Sequence, residues 1–266
     1  MSIDLSGRRI LITGASRGLG AHIARGLAST GAELLLSARD TTALDETARA
    51  CEALGAKVSV FAADLANASD RASLIDRAGE LDVLVNNAGV EFTRRLLDQS
   101  DAQVHAQIET NIVAPIDLTR RVLPGMLARQ RGTIVNISSM SGKSATPYNS
   151  VYAASKHALN GFSASLAVEL QGSGVHVGVV CPGFVAESGM WARTGIRAPA
   201  AMREVSPAKV VKAVFAVLGG AGEVLVTPMP IRPMLALREL FPSLDGPVLR
   251  RMGVLRTLAA RADSSE

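Results

Sequence analysis

Two residues four apart carry the strongest chemical signal in this chain. Tyr152 and Lys156 lie in the run Val151-Tyr152-Ala153-Ala154-Ser155-Lys156, and on a helix that spacing puts both on one face. A phenol titrates near pH ~10, so exchanging a proton near neutrality requires a shift of about three units, or about 4 kcal/mol. A nearby ammonium stabilises the phenolate and moves the pKa in that direction. A Tyr–Lys pair on a solvated helix surface would contribute little. This one keeps apolar company in Val151, Ala153, Ala154, Ala158 and Leu159, so the expectation is proton exchange at Tyr152 with Lys156 lowering its pKa.

The second signal is Thr13-Gly14-Ala15-Ser16-Arg17-Gly18-Leu19-Gly20, after an apolar run and before a helix-like one. Glycines there let the backbone approach a pyrophosphate, and the helix N-terminus supplies free N–H donors. Strand, glycines and helix in this order within the first 30 residues favour a dinucleotide site over an ordinary tight turn.

The elements that must position these groups follow from the apolar texture. Short β-branched runs predict strands at Arg9–Thr13, Glu33–Ala38, Lys57–Ala62, Asp82–Asn86, Gly132–Ser138, Val175–Cys181 and Glu223–Thr227. They are apolar throughout, as in strands buried on both faces of a parallel sheet. Helical spacing predicts helices over Leu19–Ser29, Thr41–Leu54, Ser69–Ala78, Ser100–Arg129 and Ser155–Leu170. Threonines are the expected caps of the second, and Pro115 is expected to kink or divide the fourth. The alternation predicts an α/β, doubly wound Rossmann fold, a parallel sheet of about seven strands with helices on both faces. The 266 residues read as one domain: 1–185 the cofactor-binding and catalytic core, 186–230 the substrate lid and last strand, 231–266 a C-terminal extension.

Composition narrows the function classes. The chain is 48% hydrophobic and 20% charged, which excludes general disorder. Its net charge of +4 and 3% aromatics argue against nucleic-acid partners. Cys51 and Cys181 form no pair in sequence and read as reduced thiols. No signal peptide and no spanning apolar run is evident, so the expected location is cytoplasmic. His22, His105, His157 and His176 have no ligand spacing, and no metal site is expected.

The glycine spacing, Gly-x-x-x-Gly-x-Gly, resembles the short-chain dehydrogenase/reductase family. The resemblance runs to about residue 230, through Asp64, Asn86-Asn87-Ala88-Gly89, Asn111, Ser139, Tyr152-x-x-x-Lys156 and Pro182-Gly183. It implies that Tyr152 is the general acid in reduction and general base in oxidation. It implies that Lys156 binds the nicotinamide ribose, that Ser139 holds the substrate oxygen (Ser141 the fallback), and that Asn111 holds a water linking Lys156 to solvent. The lesser reading of Asn111 is a polar plug in a kinked helix before Pro115. The implied cofactor contacts are Gly14, Ser16, Arg17, Gly18, Leu19, Gly20, Arg39, Asp64, Leu65, Asn87, Ala88, Gly89, Tyr152, Lys156, Pro182, Gly183 and Val185. Asp64 reads equally as a helix N-cap. Where the family often has Thr after the Pro-Gly turn, this chain has Glu187 and Ser188.

The second strand ends Ser37-Ala38-Arg39, without the acid that would repel a 2′-phosphate. Arg39 and Arg17 offer cations for that phosphate, so NADP(H) is expected over NAD(H), unless Asp40 turns inward. Glu187–Ser206 reads as a lid carrying Met190, Trp191, Ile196 and Met202, which favours a hydrophobic carbonyl or secondary alcohol: a ketone, steroid-like, retinoid-like or acyl compound. Packing under a mobile loop and a subunit contact are the other readings of these residues. Residues 228–261 carry six arginines, and Gly253–Arg261 reads as a basic amphipathic helix. That stretch lies on a membrane surface, covers a partner subunit or is solvated. The resemblance implies a homodimer or homotetramer, with the Asn111 and Tyr152 helices paired across a two-fold axis. The rival readings are a non-catalytic NADP(H)-sensing protein and a cofactor-retaining epimerase with no net redox.

Overall fold

The computed structural model describes residues 4–186, 203–241, 243 and 245–263. Its frame is a seven-stranded sheet of β1 (Arg9–Thr13), β2 (Glu33–Ala38), β3 (Lys57–Ala62), β4 (Val83–Asn86), β5 (Gly132–Ile137), β6 (Val175–Pro182) and β7 (Glu223–Val226), in the spatial order β3-β2-β1-β4-β5-β6-β7. Every pairing is parallel. The order reverses between β1 and β4, and a doubly wound sheet opens a crevice outside its strand ends at such a switch point.

Alternate residues of each strand feed two cores. Ile10 and Ile12 of β1, with Leu34 and Leu36 of β2, pack against α1 (Gly18–Leu27), α2 (Thr41–Glu52) and α7 (Pro207–Leu218). Leu11 and Leu35 point the other way, onto α3 (Ala68–Ala78), α5 (Ala114–Ala128) and α6 (Ser150–Glu169). β3 departs from the expected double burial. It is an edge strand, and Lys57, Val60 and Ala62 are exposed. At the end of the sheet away from the strand C-termini, Asp82 accepts from the Arg9 backbone N–H at 3.0 Å and from Arg131 Nη2 at 2.8 Å, tying β1, β4 and β5 together.

The helix at Ser100–Arg129 divides as expected, just before Pro115. α4 (Asp101–Ile108) gives way to a π-helical turn at Glu109–Val113, which holds Asn111, before α5 begins. Pro115 follows that turn directly, and its missing N–H leaves the carbonyls of the π turn one donor short. α6 starts five residues earlier than the spacing suggested, at Ser150 instead of Ser155, so Tyr152 lies in its first turn. α2 is capped by Asp40, not by threonine: its carboxylate accepts from Ala43 N at 3.1 Å. The sequence reading did not anticipate α7. Its Val210, Ala213, Val214 and Val217 are buried at three- and four-residue spacing while Lys209 and Lys212 face solvent.

After β7 come α8 (Arg232–Leu240), α9 (Asp245–Arg251) and α10 (Val254–Asp263). The helix expected at Gly253–Arg261 forms as α10, but it turns Val254, Leu258 and Arg261 into the protein. The lid expected at Glu187–Ser206 lies, up to residue 202, outside the described residues, as do Glu187 and Ser188. Beyond it, Val205 returns beside Val185 in a parallel bridge. Among the described residues, no helix is long and apolar enough to cross a membrane.

Candidate active site

The strand C-termini open into a cavity of about 1520 Å³. One half is built from the turns after β1, β2, β3 and β4. Gly14 adopts φ +63, and a Cβ there would stand 2.8 Å from Ala88 Cα. A Cβ on Gly20 would meet Gly14 O at 2.1 Å, so α1 can start this close to the loop only without one. Asn87 pins the turn from below, donating to Thr13 O at 2.9 Å and Gly14 O at 3.1 Å, while the Thr13 hydroxyl accepts from the Asn87 and Ala88 N–H groups. Ser16, Arg17, Gly18, Leu19 and Gly20 line the opening, with Arg39, Asp64 and Leu65 beyond them and Ala88 and Gly89 alongside.

Charge in this half is arranged for a polyanion. Arg17 and Arg39 are both exposed at the mouth. Asp40 also lines the cavity, and its Oδ1 accepts from Ala43 N in the α2 cap. Asp64 is not the cap of α3; Asn67 holds that position. Its Oδ1 accepts from Ala66 N at 3.1 Å and its Oδ2 lies 4.0 Å from Arg39 Nη1, a solvated pair that opens at little cost. The Ser37 hydroxyl is buried on the cavity wall with no hydrogen-bond partner. A close-approach glycine turn, an exposed pair of guanidiniums and an orphaned hydroxyl together fit a phosphorylated dinucleotide.

The reacting centre lies where α6 crosses the ends of β4, β5 and β6. Tyr152 is 6% exposed and Lys156 3%. Lys156 Nζ donates to Ile137 O at 2.9 Å and stands 5.7 Å from the centre of the Tyr152 ring. Burial lowers the ammonium pKa to about 8, against the opposing pull of Cys181 and Glu91. The phenol overturns the expectation. Burial first, then the Glu91 carboxylate, push its pKa up rather than down, outweighing the Ser139 side chain and Arg261, which act the other way. The ammonium is aimed at a backbone carbonyl, and in so dry a site the cost of desolvating a phenolate exceeds its attraction.

Of the neighbouring serines, Ser139 is the one whose side chain bears on the Tyr152 phenol, drawing its pKa down. Its Oγ also accepts from Ser141 N at 3.0 Å, whereas Ser138 is turned away onto Lys156 O. Asn111 does not line the cavity. Its amide accepts from Val90 N at 2.8 Å and donates to Val90 O at 2.9 Å and to Ser155 Oγ at 3.1 Å, so the side chain fixes the segment after β4 against α6. A Cβ placed on Gly89 would lie 3.2 Å from Asn111 Oδ1 and 3.7 Å from Lys156 Nζ, so amide and ammonium face one small space. Pro182, Gly183 and Val185 pass over the cavity after β6. Cys181 is fully buried, and its thiol is pushed up to about 11 by burial. Among the described residues, no three metal-ligating side chains come together.

The other half of the cavity is apolar. Phe184, Met229, Ile231 and Met234 line it, with Leu249, Met252, Val254 and Leu258 from α9, α10 and the turn between them. The sequence reading missed the place of this wall and missed two of its charged residues, Glu91 and Arg261. Glu91 had one legible signal, as an ionisable residue directly after the Asn86–Val90 run. Arg261 had none, because 170 residues separate it from its partner.

Comparison with known proteins agrees with this geometry. Residues 8–198 match the family model described as short chain dehydrogenase. The ketoacyl reductase HetN of Nostoc sp. is 37% identical over 98% of this chain and 94% of its own length. Estradiol 17-beta-dehydrogenase 11 of Homo sapiens is 36% identical over 68% of this chain and 63% of its own. Among solved structures, a metagenomic short-chain oxidoreductase in complex with NADP aligns at TM-score 0.73 and 36% identity, over 86% of this chain and 100% of that one. An actinorhodin polyketide ketoreductase variant with NADPH aligns at TM-score 0.76 and 30% identity, over 85% and 98%.

Proposed function

Because the chain belongs to the short chain dehydrogenase family, we propose that it is an NADP(H)-dependent oxidoreductase that reduces a hydrophobic carbonyl to a secondary alcohol. The observation that carries this reading is one cavity with a phosphate-ready half, an apolar half and the Ser139–Tyr152–Lys156 cluster between them. Solved relatives in complex with NADP or NADPH support the choice of cofactor, as do Arg17 and Arg39 at the mouth and the Asp40 carboxylate bound into the α2 cap.

When bound, NADPH supplies the hydride. Gly14 to Gly20 and Arg39 hold its phosphates, Asp64 and Leu65 its adenine end, and Asn87 to Gly89 the middle. Lys156 and the Pro182–Val185 turn hold its nicotinamide end. Ser139 donates to the substrate oxygen and Tyr152 releases its proton to it. The raised pKa of Tyr152 suits this direction: the phenol stays protonated at neutral pH, and an alkoxide is the stronger base. Lys156, titrating near 8, remains mostly charged at neutrality and stabilises the phenolate as it forms. Asn111 and Lys156 share the space beside Gly89, which supports a water there as the route by which the proton is replaced.

Two further properties belong to the same proposal. The exposed small residues Ala154, Ala158, Gly161 and Ala164 on α6, with Ile116 of α5, support pairing of these helices in a homodimer or homotetramer. The free, buried Cys51 and Cys181 support a reducing, cytoplasmic setting.

The test offers the purified protein NADPH or NADH with carbonyls of increasing apolar length and measures cofactor loss and alcohol together. The expected result is one alcohol per NADPH, with rates that rise with apolar length and fall with NADH. Tight NADPH binding without consumption would favour the sensing reading. Product without net NADPH loss would favour the epimerase.

A further inference from the structure

One buried ion pair ties the last helix to the reacting centre. Arg261 Nη1 of α10 donates to Glu91 Oε1 at 3.0 Å, and both side chains are only 9% exposed. The same oxygen accepts from Asn149 Nδ2 at 2.9 Å and from Thr93 Oγ1 at 3.2 Å. Asn149 is the residue that opens α6, three before Tyr152. Glu91 follows Val90, the residue clasped by the Asn111 amide. One carboxylate oxygen therefore joins α10, the start of the catalytic helix and the segment after β4.

Earlier on α10, Val254 and Leu258 pack against Tyr148 and Phe184. Tyr148 holds φ +62, a left-handed conformation that is rare for an aromatic residue, and its carbonyl accepts from Arg94 N at 2.8 Å. Apolar packing of this kind would seat the helix without any charge, and a buried ion pair gives little net stability over apolar groups of the same shape. Stability alone is a poor reason for this pair.

Its position supplies a better one. The groups that bear on Tyr152 are Glu91 from the segment after β4, Arg261 from α10, Cys181 from β6, Lys156 from its own helix and the Ser139 hydroxyl after β5. Glu91 opposes a phenolate there and Arg261 offsets it.

We propose that Glu91 and Arg261 form a charge-balanced latch that closes α10 over the apolar half of the cavity and sets the local field in which Tyr152 exchanges its proton. Both are positioning residues: they act through α10 and Tyr152. The field part rests on the reductase reading above, whereas the closure part does not.

The test uses the full chain as Glu91→Gln, Arg261→Met, Arg261→Lys and the double Glu91→Gln/Arg261→Met. Amide hydrogen exchange of residues 254–263 reads the latch and needs no turnover. The pH profile of kcat/KM for alcohol oxidation, which needs the phenolate, reads the field. The expected result is exchange several-fold faster in Glu91→Gln and Arg261→Met. The limb of the profile moves to lower pH in Glu91→Gln and to higher pH in Arg261→Met, each by on the order of one unit. It returns toward the wild type in the double variant and in Arg261→Lys. Unchanged exchange in both single variants overturns the latch. Faster exchange with an unmoved limb overturns the field effect. A wild type that turns over no carbonyl or alcohol defeats the reductase reading while the exchange data still decide the latch.

Discussion

The cofactor half of the cavity is walled by backbone. Thr13 and Asn87 bond to main-chain atoms, and glycine at positions 14 and 20 lets two loops touch. The substrate half is walled by side chains from α8, α9 and α10, of which α8 buries none of its residues. A backbone wall can hold only what every nucleotide of one kind presents, so it tolerates little change. A wall of Met, Leu and Val side chains reshapes with each substitution. The comparison teaches that the chemistry and the choice of substrate are separately adjustable in this fold, and that the Tyr152–Lys156 pair stands on the seam between them.

The largest expected effect lies on that seam. Lys156→Met should slow carbonyl reduction about a thousand-fold without lowering stability, because it replaces a buried ammonium by an apolar chain of similar length. The pH dependence of unfolding checks this. Burial depresses the folded pKa of Lys156 to about 8 from the ordinary 10.5 of a solvated lysine. Between those values the unfolded chain binds more protons, so this group makes the wild type gain stability as pH rises through that window. The variant should lack that gain. A destabilised variant would mean that the lysine holds the two halves together.

Arg39→Asp tests whether the cofactor half acts alone. NADPH affinity should fall on the order of 10- to 100-fold, as expected for a lost charged hydrogen bond, with NADH affinity and carbonyl KM nearly unchanged. An unaltered preference would remove Arg39 from the phosphate site. Leu258→Ala is the mirror experiment. It should raise the KM for an apolar carbonyl on the order of five-fold, about 1 kcal/mol of lost apolar contact, and leave the KM for NADPH alone. A matching rise in both would show that the halves are coupled. Asp82→Asn, at the far end of the sheet, should leave both constants unchanged. It should cost about 1–3 kcal/mol in a denaturant titration. Despite the opposing cost of burial, the Arg9 N–H and the Arg131 and Arg8 guanidiniums hold this carboxyl below the ordinary range. Its contribution is therefore present above the ordinary carboxylate pKa and lost as pH falls through the lowered one.

What was legible in the sequence divides along the same line. The strands, the glycine turn and the Tyr152–Lys156 spacing are local patterns, fixed by residues within one or two turns of each other, and the structure places them within a residue or two of the reading. The cap of α2 was expected from the threonines, and only the bond from Ala43 N to the Asp40 carboxylate shows that the residue before them takes that place. The direction of the Tyr152 pKa was not legible at all. It depends on burial beneath the far end of the chain and on Glu91, neither of which the neighbours of Tyr152 reveal. α7 was hidden for a different reason: its apolar run carries Lys209 and Lys212, which break the look of a core element until the helical spacing is counted.

The central claim is that Tyr152 delivers the proton in a reaction for which the cofactor half has already bound NADPH. Tyr152→Phe removes one oxygen atom from that seam. Measured side by side with the wild type, the variant should bind NADPH with unchanged affinity while alcohol formation from an apolar ketone falls about a thousand-fold. Alcohol formation at the wild-type rate, with NADPH binding intact, would contradict the account.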